Sequence, residues 1–313
     1  MATRVRALAF SALCVGLATP VAPTAAQVVG YEISVAQIEA GRVRHLAQRL
    51  AKQNVLYQMH LGGVKKSDLV DTSTRIDRVI ETLQLGSPGY AVPVPWTQEL
   101  RDQIRKLDET WGPLRAIATA SPYDYLRVSR QFAGADTSAK DPLVIRYFDS
   151  LAKDLVDDSE KLMAMYDAEC RKSGAGAELC VTAASSGYNA MLSEMAIKQA
   201  VYIVAGIDAK EQREALRETM AAYDAARKAN EQSPFFAAAL SPERGEAGAF
   251  ARSLLGNLRT DWSEMEKEFA ILSAGDEKNF DLQRLLTLHG RMVGRIERFT
   301  AAMVRYANIA YGS

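Results

Sequence analysis

The sequence has 313 residues, of which 48% are hydrophobic and 24% charged, an ordinary globular composition that suffices for one or two domains. Its 38 basic and 38 acidic residues balance. Because no basic excess is available to hold a polyphosphate, a nucleic-acid-binding protein is not expected.

The first 26 residues have the pattern of a secretory signal peptide. Arg4 and Arg6 form a basic start, ALAFSALCVGLA is a short apolar stretch, and Thr24 and Ala26 are the small residues of a cleavage site. Cys14 suggests a lipoprotein as the alternative, but the leucine before it is too large for a lipid-attachment site. No later stretch has the roughly 18 uncharged apolar residues of a membrane span. We therefore expect an exported, soluble, periplasmic protein.

The remaining sequence predicts an all-α fold, because apolar residues recur every three or four positions and no long alternating run occurs. Breakers divide it into eight predicted helices, near 32–61, 67–85, 97–118, 141–171, 177–205, 208–231, 241–272 and 277–310. Asp141 and Pro142 suit a helix start, and Asp208 and Glu211 have capping-box spacing. Short connections are typical of up-down bundles, so we predict two tandem four-helix bundles, residues 31–172 and 173–313.

The two predicted bundles share a weak internal similarity. LAQRLAKQNVLY (46–57) and LSEMAIKQAVYI (192–203) have Leu, Lys and Gln in common at an offset of 146 residues, and Gly41 aligns with Gly187 at the same offset. Each predicted bundle also has a Trp in its third helix, at 111 and 262. We interpret this as an internal duplication of about 140 residues.

Two cysteines, Cys170 and Cys180, remain after the predicted cleavage. An exported compartment permits a disulfide between them, and two free buried thiols are the alternative. His45, His60 and His289 show no metal-ligand spacing. The sequence contains no dinucleotide fingerprint, P-loop, zinc-protease motif or nucleophile elbow. Neither a metal, nor a cofactor, nor an enzymatic activity is therefore expected.

The stretch AGRVRHLAQRLAK (40–52) lies in the first predicted helix. At about 100° per residue, small and polar residues line one face at heptad spacing, as in a coiled coil. These residues, called the α1 seam below, are Gln37, Gly41, Arg44, Gln48, Ala51 and Val55. Arg44 in the middle of the seam needs a partner, because an unpaired buried charge is costly. Arg42 and Arg49 lie elsewhere on the wheel, beside the apolar core face, and are expected to be solvated or to extend their charged ends to water (snorkelling).

This stretch resembles the signature of the periplasmic sensor domain of NarX-type nitrate/nitrite kinases and PilJ-type chemoreceptors. That signature is Ala-Gly, two variable residues, Arg, two or three further residues, Ser or Gln, and then a second Arg, so its two arginines correspond to Arg44 and Arg49. LDETWGPLRAI (107–117) resembles the third helix of the same family. The resemblance covers residues 31–172 best and 177–313 weakly.

The resemblance implies that Arg44 binds nitrate or nitrite between the first helices of a homodimer, with Gly41, Gln48 and Arg49 as the other signature residues. Unlike those receptors, the sequence has no following transmembrane, kinase or methyl-accepting module. A separate membrane-bound signalling or transport partner is therefore expected to carry the signal.

The second half lacks both arginines, because Arg44 aligns with Ala190 and Arg49 with Met195. Gln48 aligns with Glu194. Three hypotheses for Arg44 follow. If the two halves pack seam to seam within one chain, Glu194 neutralises Arg44, and the protein is a helical interaction or scaffold protein without a ligand. Alternatively, Arg44 binds a small oxyanion, either across a homodimer or within such a pseudo-dimer. In the third hypothesis, Arg44 is exposed and has no special role.

Overall fold

A computed structural model describes residues 30–121, 142–173 and 177–311, together with Asp124 and Arg127. These residues form nine α-helices: α1 (Gly30–Gln58), α2 (Lys66–Leu85), α3 (Gln98–Thr119), α4 (Pro142–Lys172), α5 (Ala177–Val204), α6 (Ala209–Glu231), α7 (Pro234–Ala239), α8 (Gly245–Ser273) and α9 (Leu282–Tyr311). The described ranges contain no β-strand, only an isolated bridge between Ser87 and Val92. The predicted all-α fold is confirmed.

Glycines with positive φ angles follow the first two helices. Gly62, Gly63 and Gly86 have positive φ angles, a conformation that terminates a helix and that glycine adopts without strain. The predicted capping box at Asp208 is wrong. Asp208 has a φ of 47° and makes no capping hydrogen bond, and its carboxylate instead accepts two hydrogen bonds from Arg146 on α4.

The largest departures from the predicted helices lie near the end of the chain. The six-residue helix α7 was not predicted, because six residues are too few for a periodic pattern. Helix α8 begins at Gly245, after a 3₁₀ turn (Pro242–Arg244) in which the Glu243 N–H donates a hydrogen bond to Ser241 Oγ. A second 3₁₀ turn, Glu277–Asn279, likewise precedes α9, so that helix starts later than predicted.

Helix α1 is the central helix, and 21 of its 29 residues are buried. It packs along α2, α4 and α5 and also contacts α9, so it is covered on several sides. Its polar side chains are consequently buried together with its apolar ones. The hydrophobic core runs continuously from the first predicted bundle into the second. The division at residues 172–173 and the internal duplication therefore remain predictions.

Cys170 on α4 and Cys180 on α5 form the predicted disulfide, with their Cα atoms 5.8 Å apart. Both residues are fully buried. No helix in the described ranges is both long enough and apolar enough to cross a membrane. The predicted signal peptide (residues 1–26) and the predicted N-cap Asp141 lie outside the described residues.

Candidate functional site

The α1 seam is buried by α4 and α5 of the same chain. All six of its residues are buried, which confirms that this face packs against other helices. Helices α1 and α5 approach closely at two glycines: a Cβ added to Gly187 on α5 would lie 3.4 Å from the carbonyl oxygen of Gly41. The first helix of each predicted half thus meets the other at two glycines that are aligned in the sequence.

Arg44 is buried in this seam, with only 5% of its surface exposed. Its Nη1 atom lies 3.5 Å from Oε1 of Glu160 on α4, and its guanidinium carbon lies 5.5 Å from the ring centroid of Tyr188 on α5. Burial lowers the pKa of Arg44, and the nearby Glu160 carboxylate partly opposes that effect. The Glu160 side chain is itself 47% exposed, so water competes with Arg44 for this carboxylate.

Two glutamines of the seam have incompletely satisfied amide groups. Gln37 is fully buried, and neither its Nε2 nor its Oε1 atom has a hydrogen-bond partner among the described residues. Gln48 Oε1 is likewise buried without a partner there. Because buried amide atoms are nearly always hydrogen-bonded in folded proteins, the seam has unused hydrogen-bonding capacity one turn from Arg44, at Gln48, and two turns from it, at Gln37.

Glu194 does not hydrogen-bond to Arg44 as the scaffold hypothesis predicted. Its Oε1 atom accepts a hydrogen bond from Arg49 Nε at 2.8 Å, and its Oε2 atom accepts one from Lys52 Nζ at 2.6 Å. The prediction that Arg49 is solvated or snorkelling is also wrong, because its side chain is only 11% exposed and its guanidinium binds the fully buried Glu194. Arg49 and Lys52 reach α5 because α1 is covered on several sides, so residues off the seam are enclosed as well.

Two histidines complete this second cluster, which we call the Glu194 network: His45, Arg49, Lys52, Glu194 and His289. Arg49 Nη2 donates to His45 Nε2 at 2.9 Å, and Lys52 Nζ donates to His289 Nδ1 at 3.3 Å. The other ring nitrogen of His289 lies 3.6 Å from Glu194. Both histidines accept hydrogen bonds from cations, so both are neutral. The network joins α1 to α5 and α9.

Burial and neighbouring charges set the ionisation of this network. Burial, reinforced by Arg49, lowers the pKa of His45 to about 3, and burial with Lys52 lowers the pKa of His289 to about 3. Burial alone would raise the pKa of Glu194, but Lys52, His289 and Arg49 together hold it well below its ordinary value. The network therefore contains one buried carboxylate and two buried cations.

Sequence reasoning missed Lys52 and His289 as members of this network. The sequence around each of these two residues contained an indication that the residue is buried. Lys52 lies beside the α1 seam on the helical wheel, and His289 follows the run LLTL. A polar residue enclosed in this way needs a partner, but the sequence does not reveal which one.

The described part of the chain contains no group of three or more His, Cys, Asp or Glu side chains arranged to hold a metal ion. Residues 36–131 match the family model described as type IV pili methyl-accepting chemotaxis transducer N-term. The match confirms the PilJ-like resemblance over a segment that contains most of α1 and all of α2 and α3. No match was found among curated proteins or among solved structures. This segment is therefore similar to a helical sensor domain of the chemoreceptor type.

Proposed function

We propose that this protein is an exported sensor-type helical bundle that binds a small oxyanion, such as nitrate or nitrite, beside Arg44. Its state is passed to a membrane-bound signalling partner. The observation that carries the proposal is the buried guanidinium of Arg44 at the centre of a signature seam. The same helix face also carries Gln48, one turn away, whose buried Oε1 has no hydrogen-bond partner among the described residues. Guanidinium is a planar fork, and it binds planar oxyanions through paired hydrogen bonds.

An anion at this position competes with Glu160. The Arg44–Glu160 pair is long, at 3.5 Å, and the glutamate is half exposed. Glu160 can therefore return to water at little cost when a ligand takes its place. The buried side of the guanidinium stays against Tyr188 in both states.

The close packing of α1 against α5 supports a pseudo-dimer within one chain in place of a homodimer. Helix α5 covers the α1 face that the resemblance assigns to a dimer interface. The buried disulfide supports the export part of the proposal, because disulfides persist in oxidising compartments such as the periplasm.

The second candidate is a helical interaction or scaffold protein with no ligand, and the Glu194 network favours it. In this revised form Glu194 neutralises Arg49 and Lys52 rather than Arg44. The glycine contact between α1 and α5 also leaves little space in the seam. The scaffold candidate predicts that α1 and α5 stay in one arrangement whatever anion is present.

Calorimetric titration of nitrate and nitrite into the purified protein distinguishes the two candidates. The sensor proposal predicts saturable binding that Arg44→Ala abolishes. Arg42→Ala is the matched control, because Arg42 is on the same helix but is half exposed and paired with Glu39. Absence of saturable heat with both anions, or equal binding by Arg44→Ala and wild type, would favour the scaffold.

A further inference from the structure

A groove of about 470 Å³ lies between α1, α2 and α9. We infer that this groove binds a small organic polyanion of the di- or tricarboxylate class. This site is separate from the oxyanion seam and does not depend on it. The side chains that argue for it are Glu39, Arg42, His45, Arg75, Arg78 and Glu297.

The groove carries more positive than negative charge. Three arginines and two glutamates line it, and His45 in its wall is neutral. Arg42 is paired with Glu39 at 2.9 Å. Arg78 makes no ion pair with any residue that the structure describes, so one cation of the groove is available to a ligand.

Glu297 is the carboxylate that a ligand would replace. It lies 3.5 Å from Arg75 Nη1, and both side chains are about half exposed. Exposed pairs of this kind contribute little to stability, so displacing Glu297 costs little. Glu297 also lies 3.8 Å from Arg49 Nη1, so the buried Arg49 adds positive potential at the same end of the groove.

The size of the groove suits a ligand with more than one carboxylate. Its volume falls within the range of ordinary small-molecule sites, about 300–1,000 Å³. A single monovalent anion would engage one arginine, whereas a di- or tricarboxylate can pair with Arg75 and Arg78 together. Tyr90, which is 73% exposed, lines the groove and can cover the organic part of the ligand.

The groove and the oxyanion seam lie on opposite sides of α1. Arg42 and Leu46, which line the groove, are each about 160° around the helix from Arg44. Arg44 faces Glu160 and Tyr188 instead. Variants can therefore separate the two sites.

Calorimetric titration of citrate and succinate tests the inference. We expect saturable binding to the wild-type protein, at least tenfold weaker in the double variant Arg75→Ala/Arg78→Ala. Glu297→Gln removes the competing carboxylate and should tighten binding several-fold. Arg105→Ala is the matched control, because Arg105 is an exposed arginine on α3 outside the groove and should leave the affinity unchanged.

Loss of binding at the groove and loss of binding at the seam can be told apart with these variants. Arg44→Ala should retain citrate binding even if it loses nitrate binding. The inference is overturned if neither citrate nor succinate gives saturable heat with the wild-type protein. It is also overturned if Arg75→Ala/Arg78→Ala, verified as folded by its circular dichroism spectrum, binds as tightly as the wild type.

Discussion

Arg49 on α1 and Glu194 on α5 form a buried salt bridge, with Nε and Oε1 2.8 Å apart, that links residues 145 positions apart in the sequence. Lys52 binds the other oxygen of the same carboxylate. Breaking a buried pair by removing one partner is strongly destabilising, because the remaining charge stays buried without compensation. Glu194 is therefore expected to stabilise the contact between α1 and α5, beside the continuous hydrophobic core.

Replacing Glu194 with glutamine should lower the free energy of unfolding by about 3–5 kcal/mol, because two buried cations lose their carboxylate. Glu160→Gln is the control. Glu160 is half exposed, so its loss should cost less than about 1 kcal/mol. Urea unfolding followed by circular dichroism measures both values. Similar small decreases in the free energy of unfolding for Glu194→Gln and Glu160→Gln would contradict the assigned role of Glu194.

Arg49→Ala should destabilise the protein more than Arg44→Ala when no ligand is present. Arg49 loss leaves the buried Glu194 with one cation fewer, whereas Arg44 loss leaves the half-exposed Glu160, which water can solvate. We expect a cost of about 2–3 kcal/mol for Arg49→Ala and less than about 1 kcal/mol for Arg44→Ala. The opposite order in urea unfolding would show that Arg44 supports the fold more than Arg49 does.

The presence of the long helices and most of their bounds could be predicted from the sequence, because residues that start or end a helix, such as Pro142 and Gly86, act locally. The alignment of Gly41 with Gly187 in the sequence also indicated that α1 and α5 could pack closely, and these two glycines are in contact. The partner of Glu194 could not be predicted in the same way. It depends on the relative rotation and register of helices far apart in sequence, and a helical wheel for one helix contains neither quantity.

Stability should fall as the pH drops from 7 to 5. His45 and His289 have native pKa values of about 3 and ordinary values near 6.5, so between these limits the unfolded chain binds protons that the native state does not. Unfolding is therefore favoured by acid, with up to about 1.4 kcal/mol lost per pH unit for each histidine. The native pKa of Glu194 is depressed, so this carboxylate lowers the free energy of unfolding further only at pH values below its pKa in the unfolded chain.

Urea unfolding at pH 7, 6 and 5 measures this slope. His45→Gln and His289→Gln should each reduce it, whereas the exposed His60→Gln should leave it unchanged. A free energy of unfolding that is the same at pH 7 and pH 5 would show that the two histidines are not held neutral in the native state.

The contact between Gly41 on α1 and Gly187 on α5 should not tolerate a large side chain. Gly187→Leu would force atoms into the Gly41 carbonyl and should destabilise by about 1–3 kcal/mol. Gly256→Leu on α8 is the matched control, because a Cβ there has no neighbour within 4 Å. The control should be neutral or stabilise by up to about 1 kcal/mol, since glycine weakens a helix interior. Equal effects of the two variants in thermal unfolding would contradict the close approach of α1 and α5.

The most direct test of the sensor proposal is an NMR titration that follows the arginine Nε–Hε signals while nitrate is added at constant ionic strength. Arg44→Ala and Arg42→Ala variants assign the two signals, and chloride serves as the reference anion. The proposal predicts that the Arg44 signal moves saturably with nitrate while the Arg42 signal stays in place. An Arg44 signal that is indifferent to nitrate, or that moves no more than the Arg42 signal, would contradict it.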